Sequence, residues 1–216
     1  MNIILFGPPG AGKGTQSEKL KNNFNLFKVS TGDLLRTSIK NKTPLGKKIE
    51  NIIDKGNFVS DEIVLSFIED IVSNSLYRNR LVFDGYPRNI NQAKDLKVLL
   101  KKYDQKISAA FSLGVDKEII IKRITGRQIC TNCDLIFNEY FNPSNPKNHL
   151  CDKKFLKKRP DDNKETIIKR LDKYTNDTLP ILNFYEDQQL LHEIDGKSKI
   201  DEIYSQIASI MTSLDA

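Results

Sequence analysis

The run Gly7-Pro8-Pro9-Gly10-Ala11-Gly12-Lys13-Gly14-Thr15 has the residue types and spacing of a phosphate cradle. Glycines let the backbone turn tightly enough for successive N–H groups to face one anion. Lys13 adds a full positive charge, and a helix starting near it adds partial charge from its N-terminus. The spacing fits G-x-x-x-x-G-K, with one departure: Gly14 stands where Ser or Thr normally meets magnesium, and Thr15 follows one place later. The apolar run Asn2-Ile3-Ile4-Leu5-Phe6 delivers the chain to this loop as a strand would.

Three further groups have the same flavour. Asp84-Gly85-Tyr86-Pro87-Arg88 follows the apolar Leu81–Phe83. An acid at a strand end beside a phosphate loop can order a magnesium shell, often through water. Gly85 and Pro87 make a tight exit that aims Arg88 back into the cleft. Ser30-Thr31-Gly32-Asp33-Leu34-Leu35-Arg36 follows Phe27–Val29 and puts Arg36 one helical turn on, able to pair an anion bidentately. Arg123, Arg127, Arg159 and Arg170 fall at or near the two ends of residues 126–162, so folding that segment as a flap gathers four cations. Phosphoryl transfer needs such charges around the group in flight.

These residues need a scaffold. Five short segments read as buried strands: Asn2–Phe6, Phe27–Val29, Leu81–Phe83, Ser108–Leu113 and Leu190–Ile194. Helical periods lie between them. Ile63, Val64, Phe67, Ile68, Ile71 and Val72 share one face after Ser60, an N-cap candidate. Another helix follows Asp116, with Ile119, Ile120 and Ile124 apolar. A third starts near Lys164, with Ile167, Ile168, Leu171 and Tyr174 on one side, and Pro180 is expected to kink or end it. The alternation predicts a parallel α/β sheet with ligands at the carboxyl ends of its strands. Residues 30–59 read as helical, with turns at Thr43–Gly46 and Lys55–Asn57. Residues 126–162 hold short β-like pieces, Pro143, Pro146 and all three cysteines.

The chain's 216 residues fit one domain with small insertions. At 38 % hydrophobic they suffice for a sizeable core, and no run approaches the ~20 apolar residues of a membrane span. The loop begins too early to leave room for a signal peptide, so a cytoplasmic protein is expected. The net charge of +6 comes from scattered lysines such as Lys40, Lys42, Lys47, Lys48 and Lys55, as on a solvated surface. A nucleic-acid-binding reading needs a basic, aromatic-rich stripe, and Phe137, Tyr140 and Phe141 in residues 126–162 do not make one. An odd cysteine count argues against a disulfide framework. Cys130-Thr131-Asn132-Cys133 with Cys151 instead supplies three thiolates of a tetrahedral zinc site, with His149 or Asp152 nearby as the fourth ligand.

The glycine loop, Ser30–Arg36, Asp84–Arg88, Gly126-Arg127 and Arg159-Pro160-Asp161-Asp162-Asn163 together closely resemble adenylate kinase of the bacterial long-lid type, over essentially the whole length. The Lys-Gly-Thr form of the loop is that family's own. The resemblance implies a P-loop three-layer α/β fold with a five-stranded parallel sheet. It implies a core of residues 1–29, 60–125 and 163–216, a helical AMP-binding flap at 30–59 and a small β-rich lid at 126–162. It implies reversible phosphoryl transfer from magnesium-bound ATP to AMP, giving two ADP, by a monomer. Gly10, Ala11, Gly12, Lys13, Gly14 and Thr15 would hold the ATP phosphates. Arg127 would reach ATP, Ile136 and Phe137 would lie at its adenine, and Ser198 would add a backbone contact. Thr31, Arg36, Asn57, Phe58, Val59, Gly85, Tyr86, Pro87, Arg88 and Gln92 would form the AMP site, with Arg159 and Arg170. Lys13, Arg88, Arg123, Arg159 and Arg170 would act on the phosphates in transfer, and Asp84 would order the magnesium shell. Lids of this family often carry Cys-x-x-Cys twice, or Cys-x-x-Asp as the second pair; here Lys154 stands at the fourth place. A pyrimidine monophosphate kinase is the rival within the class, although those enzymes usually have a short lid.

Overall fold

The structure is a computed structural model that describes residues 1–54, 59–159 and 161–215. Its centre is β1 (Asn2–Phe6), buried along its whole length. The strands β2 (Phe27–Ser30), β3 (Leu81–Asp84), β4 (Ile107–Gly114) and β8 (Leu191–Asp195) join it in the order β2-β3-β1-β4-β8, all parallel. The five strands expected from apolar runs are the five found.

Alternation along β1 explains the layers. Ile4 and Phe6 face one side, where Val64, Ile68, Leu96, Leu100, Ile181 and Tyr185 cover them. These come from α4 (Asp61–Val72), α5 (Ile90–Lys102) and α8 (Leu179–Glu186). Ile3 and Leu5 face the other side, against Leu20, Ile203, Ile207 and Met211. Those belong to α1 (Lys13–Phe24) and α9 (Ile200–Asp215). A strand apolar on both faces is what a doubly covered parallel sheet requires. A smaller core of Ile120, Ile124, Ile167 and Leu171 joins α6 (Lys117–Thr125) to α7 (Lys164–Lys173).

Two segments stand outside the sheet. Between β2 and α4 run α2 (Thr31–Lys40) and α3 (Pro44–Asp54). The turn between them lies at Asn41-Lys42, with Lys42 left-handed at φ 52°, and not over Thr43–Gly46 as the Pro-Leu-Gly run suggests. Pro44 instead opens the helix, where its missing N–H costs nothing, and Thr43 Oγ1 accepts from Gly46 N at 2.8 Å. Gly46 is required for the packing: a Cβ there would stand 2.0 Å from the Ser38 carbonyl oxygen. The predicted turn at Lys55–Asn57 lies outside the described residues. The second segment is a three-stranded antiparallel sheet in the order β6-β5-β7, from β5 (Arg127–Cys130), β6 (Ile136–Asn138) and β7 (Leu156–Lys157).

Two local expectations change. Ser60 holds the N-cap position of α4, but its side chain makes no cap hydrogen bond. Pro180 neither ends nor breaks its helix. The turn Tyr174–Thr178 widens to π geometry, and Pro180 falls in the first turn of α8, where a missing N–H is tolerated.

One buried polar side chain pins the centre of the sheet. Asn2, fully buried, donates to Gln105 Oε1 at 3.2 Å and to the Lys106 carbonyl at 3.1 Å, and accepts from Leu81 N at 3.1 Å. Asn2→Leu leaves Leu81 N–H and the Lys106 carbonyl unpaired inside the protein. The substitution should lower unfolding free energy by about 2–4 kcal/mol, read as an earlier urea midpoint at unchanged slope. A shift corresponding to less than about 0.5 kcal/mol would show that these groups find other partners.

Candidate active site

β1 lies between β3 and β4, and the register pairs Leu5 with Asp84 and Phe6 with Ser112. The loops after β1 and β3 therefore emerge side by side at the carboxyl edge, the topological position for a ligand in such sheets. In the first loop Gly10 and Gly12 adopt φ of 80° and 103°. A Cβ on Gly10 would stand 2.8 Å from Ile124 Cγ1, so both backbone conformation and space require glycine there. Ala11 is buried, α1 starts at Lys13, and Gly14 and Thr15 form its first turn.

Lys13 Nζ donates to the carbonyls of Gly7 at 2.6 Å and Pro8 at 3.0 Å. Burial brings its pKa down to about 8; Asp84 opposes that, and the cations Arg88, Arg170 and Arg127 add to it. Asp84 accepts from Ser17 Oγ at 3.5 Å and lies 3.9 Å from Lys28 Nζ. A carboxylate here has the hard oxygen chemistry that magnesium selects, so the residues present fit that ion.

After β3, Gly85 takes φ 76° and a cis Tyr86–Pro87 peptide reverses the chain. Arg88 Nε donates to the Gly85 carbonyl at 2.8 Å, and its Nη2 lies 3.4 Å from Thr31 Oγ1, which itself donates to that carbonyl at 3.0 Å. Thr178 Oγ1 holds the Arg88 carbonyl at 2.8 Å. Gln92 accepts from Arg88 N at 2.7 Å and donates to Asp61 at 2.6 Å. Thr31, Gly85, Arg88 and Gln92 thus form one connected group. Tyr86 differs, because its ring is buried beside Phe83 in the core, which leaves its backbone alone to border the cleft. Val59 packs against the core next to them. Asn57 and Phe58 lie outside the described residues.

Arg36, Arg170, Arg127 and Arg123 each have a partner. Arg36 pairs with Asp33 at 2.5 Å, Arg170 with Asp161 at 2.9 Å, and Arg127 with Asp162 through two hydrogen bonds, one of 2.8 Å. Arg123 donates to the Ala11 carbonyl at 3.2 Å and lies over the Phe141 ring. Burial lowers the pKa of Arg88, which Arg170 lowers further. Burial, with Arg127 and Arg36, takes Arg159 down to about 10. The sequence reading missed Asp33, Asp161 and Asp162 as counter-charges, although each lies within a quoted motif. It also missed Lys28, which has no motif around it. Ser198 N bonds to the Asp195 carbonyl at 3.4 Å in the loop after β8.

In the small sheet Ile136 is exposed, whereas Phe137 is buried against the His149 ring, 4.7 Å between centroids. A nucleotide contact from Phe137 is thereby left to its backbone. Cys130, Cys133, His149 and Cys151 bring one ligand atom each to within 4.8 Å of one another. Ser144 Oγ holds His149 Nδ1 at 2.9 Å, and the buried Nε2 has no hydrogen-bond partner. An orphaned ring nitrogen among three sulfurs fits zinc. Burial raises the Cys130 thiol, but the N–H groups of Asn132 and Cys133 and the His149 ring outweigh it and bring the pKa to about 6. Asp152, the other candidate ligand, caps the turn Lys153–Phe155 by accepting from Lys154 N at 2.8 Å and is not in the cluster.

Comparison with known proteins gives consistent matches. A family model described as Adenylate kinase matches residues 5–190. The chain is 49 % identical over 211 residues to an adenylate kinase of Pelagibacter ubique, covering 98 % of this chain and 99 % of that one. It is 39 % identical over 217 residues to one of Borrelia duttonii, covering 100 % and 99 %. A Clostridium botulinum adenylate kinase is 37 % identical over 213 residues, covering 98 % of each chain.

The pKa of Lys13 predicts a pH dependence. A nucleotide phosphate favours the ammonium, so the complex must have a higher Lys13 pKa than the free protein's value of about 8. ATP affinity should be full below that pH and fall by at most about tenfold per pH unit above it. Calorimetry at pH 8.5 in buffers of different ionisation enthalpy should show proton uptake on binding. Lys13→Met should abolish the uptake; uptake that persists in that variant belongs to another group.

Proposed function

The chain belongs to the adenylate kinase family, and we propose that it transfers a phosphoryl group reversibly between magnesium-bound ATP and AMP, giving two ADP. The observation that carries this reading is the convergence of Lys13, Arg36, Arg88, Arg127, Arg159 and Arg170 on the cleft beside Asp84. Such a set suits two polyphosphates meeting end to end, because phosphoryl transfer needs positioning and charge more than covalent help.

In this reading Gly10–Thr15 hold the ATP phosphates through backbone N–H groups, and Lys13 follows the transferred group. Arg127 and Ser198 border ATP with Ile136 and the backbone of Phe137. Thr31, Arg36, Val59, Gly85, Arg88 and Gln92 hold AMP, with the backbone of Tyr86 and Pro87 and, outside the described residues, Asn57 and Phe58. Arg123, Arg159 and Arg170 clamp phosphate oxygens. Asp84 would hold the magnesium shell, and the ion would neutralise charge on the ATP phosphates. An AMP phosphate oxygen attacks the terminal phosphorus, and the bond to the bridging oxygen of ADP breaks. Residues 30–59 serve as the AMP flap and 126–162 as the lid, and their closure keeps water from competing as acceptor. Closure exchanges the carboxylates of Asp33, Asp161 and Asp162 for phosphate oxygens on the arginines. The described residues include no helix long and apolar enough to cross a membrane. We take the protein to be a cytoplasmic monomer acting on ATP, ADP and AMP, with no nucleic-acid or membrane partner.

The lid reading includes a structural zinc held by Cys130, Cys133, Cys151 and His149. Four protein ligands leave no open position for substrate.

A coupled assay of ADP formation with AMP, CMP and UMP as acceptors tests the activity, and AMP should be strongly preferred. Lys13→Ala should reduce kcat by ~10²–10³ in a folded protein, and Arg36→Ala should raise KM for AMP more than for ATP. Near-normal turnover in Lys13→Ala, or an ATP-selective defect in Arg36→Ala, would contradict the assignment.

The metal is tested separately. Protein purified without chelator should carry one zinc per chain and melt at lower temperature after chelation. His149→Ala should lose zinc during dialysis, while Asp152→Ala retains it. Equal retention in both variants would remove His149 from the ligand set.

A further inference from the structure

Lys28 is the charge that none of the motifs absorbs. It sits on the edge strand β2, opposite Val82 in the register, and its side chain is only 17 % exposed. Three carboxylates surround its ammonium, Glu18 from α1, Asp33 from α2 and Asp84 at the end of β3, each at 3.9 Å. They are not equivalent. Glu18 is about half exposed and has Lys21 at 2.9 Å, and Asp33 has Arg36 at 2.5 Å. Asp84 is 13 % exposed, and among the described residues Lys28 is its one ion-pair partner. Lys13 and Arg88 also feel its charge.

The contact lies beside Gly14. A Cβ on Gly14 would stand 3.5 Å from Asp84 Oδ2 and 4.0 Å from Lys28 Nζ. The acid and the ammonium both lie against the place where the general phosphate-loop pattern carries a hydroxyl side chain. A lysine charge therefore reaches the acid that faces the ATP phosphates.

We propose that Lys28 is a positioning residue that neutralises Asp84 and thereby sets how strongly ATP binding is coupled to magnesium. The inference rests on the assignment of ATP to this loop. With Lys28 present, Asp84 repels the phosphates of metal-free ATP less, and a hydrated magnesium ion must share the carboxylate with an ammonium. Removing that ammonium leaves Asp84 with Lys13 and Arg88 alone among the cations named around it, and so more negative toward the phosphates. Metal-free ATP then binds worse, while magnesium-bound ATP keeps or gains affinity. By linkage, the ratio of the two dissociation constants must rise. A role limited to tying β2 to its neighbours would change both constants alike and leave the ratio fixed.

The test is equilibrium calorimetry of ATP, without AMP, in EDTA and in excess magnesium. For Lys28→Met the ratio of the metal-free to the magnesium constant should rise roughly five- to thirtyfold over wild type at low salt. Lys28→Arg should stay close to wild type. Thermal melts establish folding, and Lys28→Gln provides the same comparison if Lys28→Met folds poorly. A ratio within about twofold of wild type in a folded, uncharged variant would overturn the proposal. If wild type binds ATP in either buffer, the loop assignment stands whatever Lys28 does. If wild type binds ATP in neither, that assignment fails and this inference with it.

Discussion

The structure is organised around the difficulty of holding seven cations near one another. Lys13, Arg36, Arg88, Arg123, Arg127, Arg159 and Arg170 approach a single cleft, and several are largely withdrawn from water. Like charges in a medium less polarisable than water repel strongly, and burial adds a desolvation cost for each. Both effects are visible in the depressed pKa values of Lys13, Arg88, Arg159 and Arg170. Carboxylates make the arrangement tolerable. Asp33, Asp161 and Asp162 take three of the arginines, and Asp84 opposes the fall at Lys13. A polyphosphate can replace these acids because it brings more negative charge and more acceptor oxygens.

The positions of those charges follow from sheet order. β1 is flanked by β3 on one side and β4 on the other, so the phosphate loop and Asp84 leave the sheet as neighbours. Alternating apolar side chains on β1 anchor this edge to both cores. The rigid strand ends fix Lys13, Asp84 and Arg88. Arg36 sits on a helix pair outside the sheet, and Arg127 on the first strand of the small sheet. The division suits an enzyme that must hold the reacting phosphates still yet admit two nucleotides.

Much of this was legible in the residues. Runs such as Ile3–Phe6 and Leu81–Phe83 are too short and too apolar for exposed helices, and glycines or an acid follow them directly. The glycine loop and Asp84 could be read because function fixes both residue type and spacing there. What escaped were contacts made across the fold. Nothing near Lys28 in the sequence announces that it meets acids from three different elements. The same holds for His149 against Asp152, two residues before and one after Cys151 in the chain. Only the path of the loop decides that the imidazole turns toward the sulfurs while the carboxylate caps a turn. The run Thr43–Gly46 reads as a turn, and Pro180 as a residue that kinks or ends its helix, because proline is disfavoured in a helix interior. Pro44 and Pro180 each fall in a first turn, where the rule does not apply.

The small sheet carries a cluster able to take a metal where a core is hard to build. Its strands have four, three and two residues, and its buried apolar side chains are few, chiefly Phe137 beside the buried Cys130. Leu135, Tyr140, Phe141 and Leu150 are exposed and add little. So small a sheet buries too little apolar area to offset the ordering of its loops. Three sulfurs and an imidazole gathered at one end change that balance, because a metal bond joins distant parts of the loop without needing volume. His149 serves both roles, packing its ring on Phe137 while its Nε2 lies unpaired among the cysteines. Among the described residues, the cysteine cluster and the Phe137 ring contact thus meet in a single residue. A shift of that imidazole would therefore disturb Phe137 on β6 and, through the pairing of β6 with β5, Arg127.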